Sequence, residues 1–367
     1  MTLQFEALPV GRGDAFLLRD GEHAFLFDGG QYYQQAATFL KERSVSRLDV
    51  VVCSHNDSDH ANGLIGLLES SINVSEVWVP ATWHDFLSVA AHKPCWPHDL
   101  LCEVEDDYSI LERWSGGESA RDEKTPTHRL EDQDDNAKGS EERIGEFLEV
   151  FGEQTFDDED YYLRCQHVYH RRHLYFGLGN PVWGNIVRAG NRIIQILDRA
   201  WNKGCTIRFF KYGNASNNCV GSTAFIPLNC NEITRFRTSE RVEPILYLTI
   251  QNRESLVFKY VNGGCILFTA DSDLNSVNPS LPISALVTAP HHGSADNNSV
   301  YSQVQGQDLV WVRSDWRSKK RPCLEYKKIA SRYCTICSAG VRAGTKQPVL
   351  LDWNGNCWNT TASRCTC

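Results

Sequence analysis

The chain has 367 residues, 41% of them hydrophobic, and a formal net charge of −9. That length supports a large core, as one elaborated domain or a domain with an appendage, and the acidic balance excludes a whole-chain polycation that coats nucleic acid. No apolar run approaches the roughly 18 residues of a membrane-spanning helix, and the opening MTLQFEALPV lacks the basic and apolar regions of a secretory signal. The 14 cysteines therefore read as thiols and metal ligands of a cytoplasmic protein, not as a disulfide framework.

In chain order, Leu3 to Leu8 and Ala15 to Leu18 read as strands around the turn Gly11-Arg12-Gly13-Asp14. His23 to Phe27 is a third strand, ending in Asp28-Gly29-Gly30, and the three form an antiparallel meander. Tyr32, Ala36, Phe39 and Leu40 have helical spacing. The β-branched run Val50-Val51-Val52 then predicts a buried strand that stops at a polar cluster, His55, Asp57, Asp59 and His60. If this loop is extended, His55, Asp57 and Asp59 share a face and His60 points elsewhere, which offers ligands to two neighbouring cations. One acidic residue would suffice to cap the helix that follows from Ala61; four potential ligands in six positions favour metal. Leu64 to Leu68 continues that helix and Val74 to Val79 is another strand, the β-α-β alternation of a layered α/β fold.

Residues 81 to about 180 break the rhythm. Between 99 and 160 the chain is acidic (DQDD, SEER, DDED), with a short helix over Ile144 to Phe151, and reads as a solvated insertion, with a lid or partner-binding loop as the functional alternative. His167, His170 and His173, with Arg171 and Arg172 among them, read as a basic surface patch; three-residue spacing also permits metal ligation. Val182 to Trp201 is an amphipathic helix stopped by Gly204. Strands follow at Thr206 to Phe210, Ala224 to Leu228, Ile245 to Gln251, Leu256 to Tyr260 and Cys265 to Thr269. Asp271 should emerge from the end of the last, with Asp273 a weaker candidate beside it. Leu286 and Val287 form a strand that delivers His291, His292, Gly293 and Ser294. Three strands thus end in potential ligands, which is how layered α/β enzymes assemble sites.

The tail, 311 to 367, is basic in its first half (Arg313, Arg317, Lys319, Lys320, Arg321, Lys327, Lys328, Arg332). Cys334-x-x-Cys337, followed by Cys357, Cys365 and Cys367, resembles a structural zinc knuckle. Cys334, Cys337, Cys357 and Cys365 are the expected set and Cys323 is a further contender; buried thiols or a redox pair fit the spacing nearly as well. A basic zinc module suits a nucleic-acid or nucleotide substrate, or a partner protein, and Trp311, Trp316, Trp353 and Trp358 either pack it or stack on bases.

Four stretches carry a family resemblance. HNDSDH resembles the HxHxDH signature of metallo-β-lactamase-fold hydrolases, with Asp57 at a position where many members have histidine, a variant similar to the soluble hydrolase domain of ComEC-type DNA-uptake proteins. GRGD resembles the GQGD segment that lies over the metal site there. QNRESLVFKYVNGGCILFTADSD resembles the family's strand, glycine turn and strand ending in TGD, with Ala270 in place of the glycine, and ALVTAPHHGSADN resembles its HHGS stretch. The resemblance implies a four-layer αββα metallo-β-lactamase fold over 1–310, with a long acidic insertion at about 81–180 and a Cys-rich extension at 311–367. It implies two divalent ions held by His55, Asp57, Asp59, His60, Asp271 and His291, with His292 the alternative ligand and the other histidine free to contact the scissile group. Asp59, Asp271 and His292 become the catalytic residues, and Arg12, Asp14 and Ser294 the substrate-binding ones; Asp28 organises its loop. The mixed imidazole and carboxylate donors suit zinc or manganese. The activity implied is a phosphodiesterase or nuclease acting on DNA, RNA or a nucleotide. Hydrolysis of an ester, thioester, lactone or peptide bond on the same fold is one alternative, and a metal-stabilised interaction module with little catalysis is another.

Overall fold

The computed structural model describes residues 3–91, 181–213, 215, 218–234, 255–275, 277, 279–315, 321–337 and 346–367. The chain forms two compact units: Met1–His84 with Asn191–Phe236 and Ile250–Cys367, and Asp85–Gly190 with Arg237–Thr249. The second is described only at 85–91 and 181–190, which are helical; both sheets belong to the first. The strand expected over Ile245 to Gln251, the helix over Ile144 to Phe151, and His167, His170 and His173 lie outside the described residues.

β1 (Leu3–Ala7), β2 (Phe16–Asp20) and β3 (His23–Phe27) pair antiparallel in succession, the expected meander. β4 (Arg47–Val52), β5 (Asn73–Pro80) and β6 (Thr206–Tyr212) then add in parallel. Parallel neighbours need a crossover, and α1 (Gln35–Glu42) and α2 (Ser58–Glu69) supply the first two. α3 (Thr82–Ala91) follows β5, and α4 (Pro181–Asn202) leads into β6. With β8 (Cys230–Ile233), β14 (Val349–Trp353) and β15 (Trp358–Asn359), the first sheet runs β15-β14-β1-β2-β3-β4-β5-β6-β8. The second runs β13-β12-β11-β10-β9-β7, from β7 (Phe225–Pro227), β9 (Phe258–Tyr260), β10 (Ile266–Phe268), β11 (Leu286–Thr288), β12 (Val310–Arg313) and β13 (Arg332–Cys334).

Side-chain alternation joins the sheets. Phe5, Phe16, Phe25, Phe27, Val50, Val52 and Trp78 from the first meet Phe225, Phe258, Phe268 and Leu286 from the second in one buried cluster. Phe27 stacks on Phe268 with centroids 3.9 Å apart and planes 5° from parallel. Each such ring contributes about 1.5–3 kcal/mol by leaving water. Leu26, Val51 and Val77 point to the opposite face and are just as buried, the pattern of a sheet covered on both sides. Behind the second sheet, Val287 and Trp311 pack with Val300 of α5 (Val300–Gln303) and Tyr326 of α6 (Leu324–Lys328).

The segment 311–367, expected as an extension, is woven into both sheets. β12 and β13 continue the second, and β14 pairs with β1 from Leu3↔Trp353 to Ala7↔Val349.

Candidate metal centre

The site lies where parallel strands end, and each ligand loop is fixed by its neighbours. Asp28 follows β3 in a left-handed conformation (φ 58°). The GRGD turn is tied to this loop: Gly30 N–H donates to Asp14 O and Gln31 N–H to Arg12 O, both at 2.9 Å. Gly13 (φ 92°) lies so close to α2 that a Cβ there would sit 1.6 Å from the Asp59 carbonyl oxygen. A glycine at that position is required by contact as well as by conformation.

The polar loop after β4 departs from the extended arrangement expected of it. Helix α2 starts at Ser58, so Asp57 is the extended residue before it and Asp59 and His60 occupy its first turn. Asp57 stands at the N-cap, but its side chain makes no capping hydrogen bond; its Oδ2 lies 3.7 Å from His55 Nε2 instead. Simple capping therefore does not account for Asp57.

Carboxylates determine which nitrogen each histidine exposes. Asp28 Oδ2 lies 2.8 Å from His60 Nδ1, and Asp14 Oδ1 lies 3.0 Å from His292 Nδ1. Ser54 Oγ donates to Asp28 Oδ2 at 2.8 Å and is 2.9 Å from His55 Nδ1. An ionised carboxylate only accepts, so in the neutral rings the proton sits on Nδ1 and Nε2 carries a lone pair. His60 Nε2 and His292 Nε2 are 3.2 Å apart. Asp271 Oδ1 is 3.2 Å from the first, and Asp59 Oδ2 is 3.4 Å from the second. Electron-rich atoms this close and this buried repel unless positive charge lies between them.

Asp271 connects two donor groups. Its Oδ1 faces His60 and His292, while its Oδ2 lies 3.7 Å from His55 Nε2 and 3.6 Å from His291 Nε2. Ligand atoms of Asp14, His60, Asp271 and His292 cluster within 4.8 Å of one another, as do those of His55, Asp57 and Asp271. His55 Nε2, Asp271 Oδ1 and Asp14 Oδ2 are buried without a hydrogen-bond partner. Buried orphans of this kind, all acceptors in the tautomers just described, fit a pair of divalent cations.

With no cation between them, the same acids would instead favour charged, doubly protonated rings, so that protons stand where a cation would. Burial would raise the Asp59 carboxyl, but the hydrogen bond and charge of His292 outweigh it and hold the group well below the usual carboxylate range. Asp271 is likewise raised by burial but lowered further by His291, His60 and His292, ending well below. Burial opposes the charged form of His292, yet Asp14 and Asp271 push it up to about 10. The acids thus draw positive charge into a buried space.

Residues 8–135 match the family model of the metallo-beta-lactamase superfamily. The two mixed sheets and their crossover helices are consistent with the metallo-β-lactamase fold. A solved structure described as a new diphosphatase from the PhnP family aligns over 96% of this chain and 99% of its own, with 9% identity and a TM-score of 0.37; a score that low carries no argument. No curated protein matches the chain.

Both histidines of the HHGS turn reach Asp271. His292, expected as the alternative ligand, is fully buried and lies in the four-atom cluster; His291 is on the other side, its Nδ1 3.2 Å from Asn297 Oδ1. Both are left-handed (φ 45° and 53°), and Ala270, where the resemblance expected glycine, has φ 46°. Such conformations cost about 1–2 kcal/mol per residue. The turn is held by His291 N–H donating to Ala270 O at 2.9 Å and by Arg313 Nε donating to His292 O at 2.6 Å.

Asp14, expected among the substrate-binding residues, lies inside the site, where its Oδ1 orients His292. Arg12 Nε is 3.4 Å from Asp59 Oδ2, with the side chain 34% exposed, at the edge of the site. Ser294 caps the next turn: its Oγ donates to Asp296 Oδ2 at 3.1 Å and accepts from Asp296 N–H. Asp273 bonds Asn275 and joins neither cluster. The orienting hydrogen bonds of Asp28 were not readable residue by residue; the acid at a strand end before two glycines was the available signal.

Four thiols also gather, from Cys334, Cys337, Cys365 and Cys367. Cys357, expected among them, lies outside in a turn where its N–H donates to Asn354 Oδ1. The turn to β15 carries it away, and residues 365–367 return to β13.

Proposed function

We propose that this protein is a metal-dependent hydrolase of phosphodiesters in nucleic acids or nucleotides. The observation that carries this reading is Asp271, whose two oxygens face two separate donor groups. His60 and His292, with Asp14 Oδ2 in the same cluster and Asp59 beside it, would hold one cation, and His55, Asp57 and His291 the other, with Asp271 between the two groups. Paired divalent ions supply a water activated near neutral pH and a clamp on the attacking and leaving oxygens.

The chain's own residues arrange for that chemistry. Asp28 and Asp14 fix the ring orientations. Arg12 presents a planar guanidinium at the edge of the cluster, suited to a phosphate oxygen. Three hydroxyl and thiol groups of the ligand loops, those of Ser54, Ser294 and Cys53, are already committed. Ser54 donates to Asp28, Ser294 caps a turn, and burial pushes the Cys53 thiol well up while it donates to the His55 carbonyl. Water is therefore the nucleophile this site favours. Mixed nitrogen and oxygen donors support zinc or manganese.

The test is hydrolysis of bis(p-nitrophenyl) phosphate, single-stranded DNA, RNA and cyclic dinucleotides by the full chain loaded with zinc or manganese. Asp271→Asn and His55→Ala should each lower turnover at least about a hundredfold, the upper end of what is lost when a group that only supports a ligand is removed. Full turnover by both variants would refute the site. Turnover of esters, thioesters or lactones but of no phosphodiester would move the substrate to an acyl class, and no turnover of any of them would favour an interaction module.

A further inference from the structure

We propose that Cys334, Cys337, Cys365 and Cys367 bind a structural zinc ion as four thiolates, a site separate from the histidine and carboxylate centre. Two stretches of chain meet to form it. Cys334 ends β13, Cys337 closes the turn after it, and the backbone N–H of Cys365 donates to Arg332 O at 2.9 Å, which brings residues 365–367 alongside.

All four are free thiols with sulfurs within 4.8 Å of one another. Cys334 Sγ and Cys367 Sγ are 3.8 Å apart, and Cys337 Sγ and Cys367 Sγ 3.1 Å. Four sulfurs about 2.3 Å from one zinc, placed tetrahedrally, lie about 3.8 Å apart. The thiols therefore need only small movements to close around an ion.

The surroundings favour thiolate. Cys337 N–H donates to Cys334 Sγ at 3.3 Å, Thr366 Oγ1 to Cys337 Sγ at 3.6 Å, and Arg313 Nη1 to Cys367 Sγ at 3.9 Å. Binding would release the thiol protons and leave a doubly negative centre, so a buried cation beside it matters. Arg313 is 1% exposed and, with Arg321, shares Asp315, leaving the trio net positive. Four soft sulfur donors select zinc over the harder ions that suit carboxylates. Through Arg313, whose Nε also donates to His292 O, the tetrathiolate shares a guanidinium with the histidine turn.

Elemental analysis and cobalt substitution of the full chain test this. Cobalt bound by thiolates gives intense near-ultraviolet charge-transfer bands that nitrogen and oxygen ligands do not. These bands should appear in the wild type and in Asp271→Ala, whose other centre is disabled, and in Cys357→Ser. Cys334→Ser and Cys367→Ser should lose them, together with about one zinc per chain. A second measurement needs no variant. In the native wild type, a chelator should expose four thiols to a disulfide reagent that otherwise react slowly. Unchanged zinc content in both serine variants, or thiols equally reactive with and without chelator, would overturn the site.

Discussion

Asp28 accepts three hydrogen bonds and donates none. Ser54 N–H reaches its Oδ1, while the Ser54 hydroxyl and His60 Nδ1 reach its Oδ2. Asp28→Asn must place an amide N–H against one of these donors, which disturbs the His60 tautomer without changing side-chain volume. Metal affinity should fall about 10–100-fold, measured by competition with a chromophoric chelator, while the fold is retained. Lys346 gives a prediction of another kind. Its Nζ donates to Val10 O at 2.8 Å, and burial lowers it from 10.5 to about 8, against the pull of Asp315. Between those two values the unfolded chain holds more of this proton than the folded one, so the Lys346 contribution to stability rises with pH across the window. Denaturation midpoints of wild type and Lys346→Met, compared below and above the window, should shift in favour of wild type at the higher pH.

Helix α2 shows two rules in conflict. Replacing a helical glycine with alanine ordinarily stabilises by about 1 kcal/mol. At Gly63, however, a Cβ would lie 1.9 Å from the Gly29 carbonyl oxygen, a backbone atom with no freedom to rotate away. The contact should win. Gly63→Ala is expected to destabilise by about 1–3 kcal/mol, read from urea denaturation, and to displace the loop that carries Asp28. The same helix shows what sequence made legible. His55 through His60 stood out because an apolar strand ends in four ligands, whereas the start of α2 did not, because Ser58, Asp59 and His60 hide the apolar period until Ala61. Asp14 appeared as part of a glycine turn; its bond to His292, 278 positions away, is a product of folding. Cys357 and Cys367 could not be separated by spacing, since the choice depends on where the chain turns around β15.

At the scale of the molecule, the strands before Asp28, His55, Asp271 and His291 were legible from apolar runs, and they carry the centre. The strands of the tail were not, and β14 in particular owes its place to β1, at the other end of the sequence. Leu351 in β14 is fully buried, in register with Phe5, whereas its neighbour Leu350 is 36% exposed. Leu351→Ala should therefore cost about 2–5 kcal/mol and Leu350→Ala no more than about 0.5 kcal/mol, as calorimetry would show. The pairing of β1 with β14 also acts in time. Gln4 Nε2 donates to Asp352 Oδ1 across 348 positions of sequence. At ribosomal speeds of about 5–20 residues per second, β1 waits on the order of 20–70 s for this neighbour. A nascent chain that has completed every ligand loop still has one open flank beside β1, where a holding chaperone would find its longest opportunity.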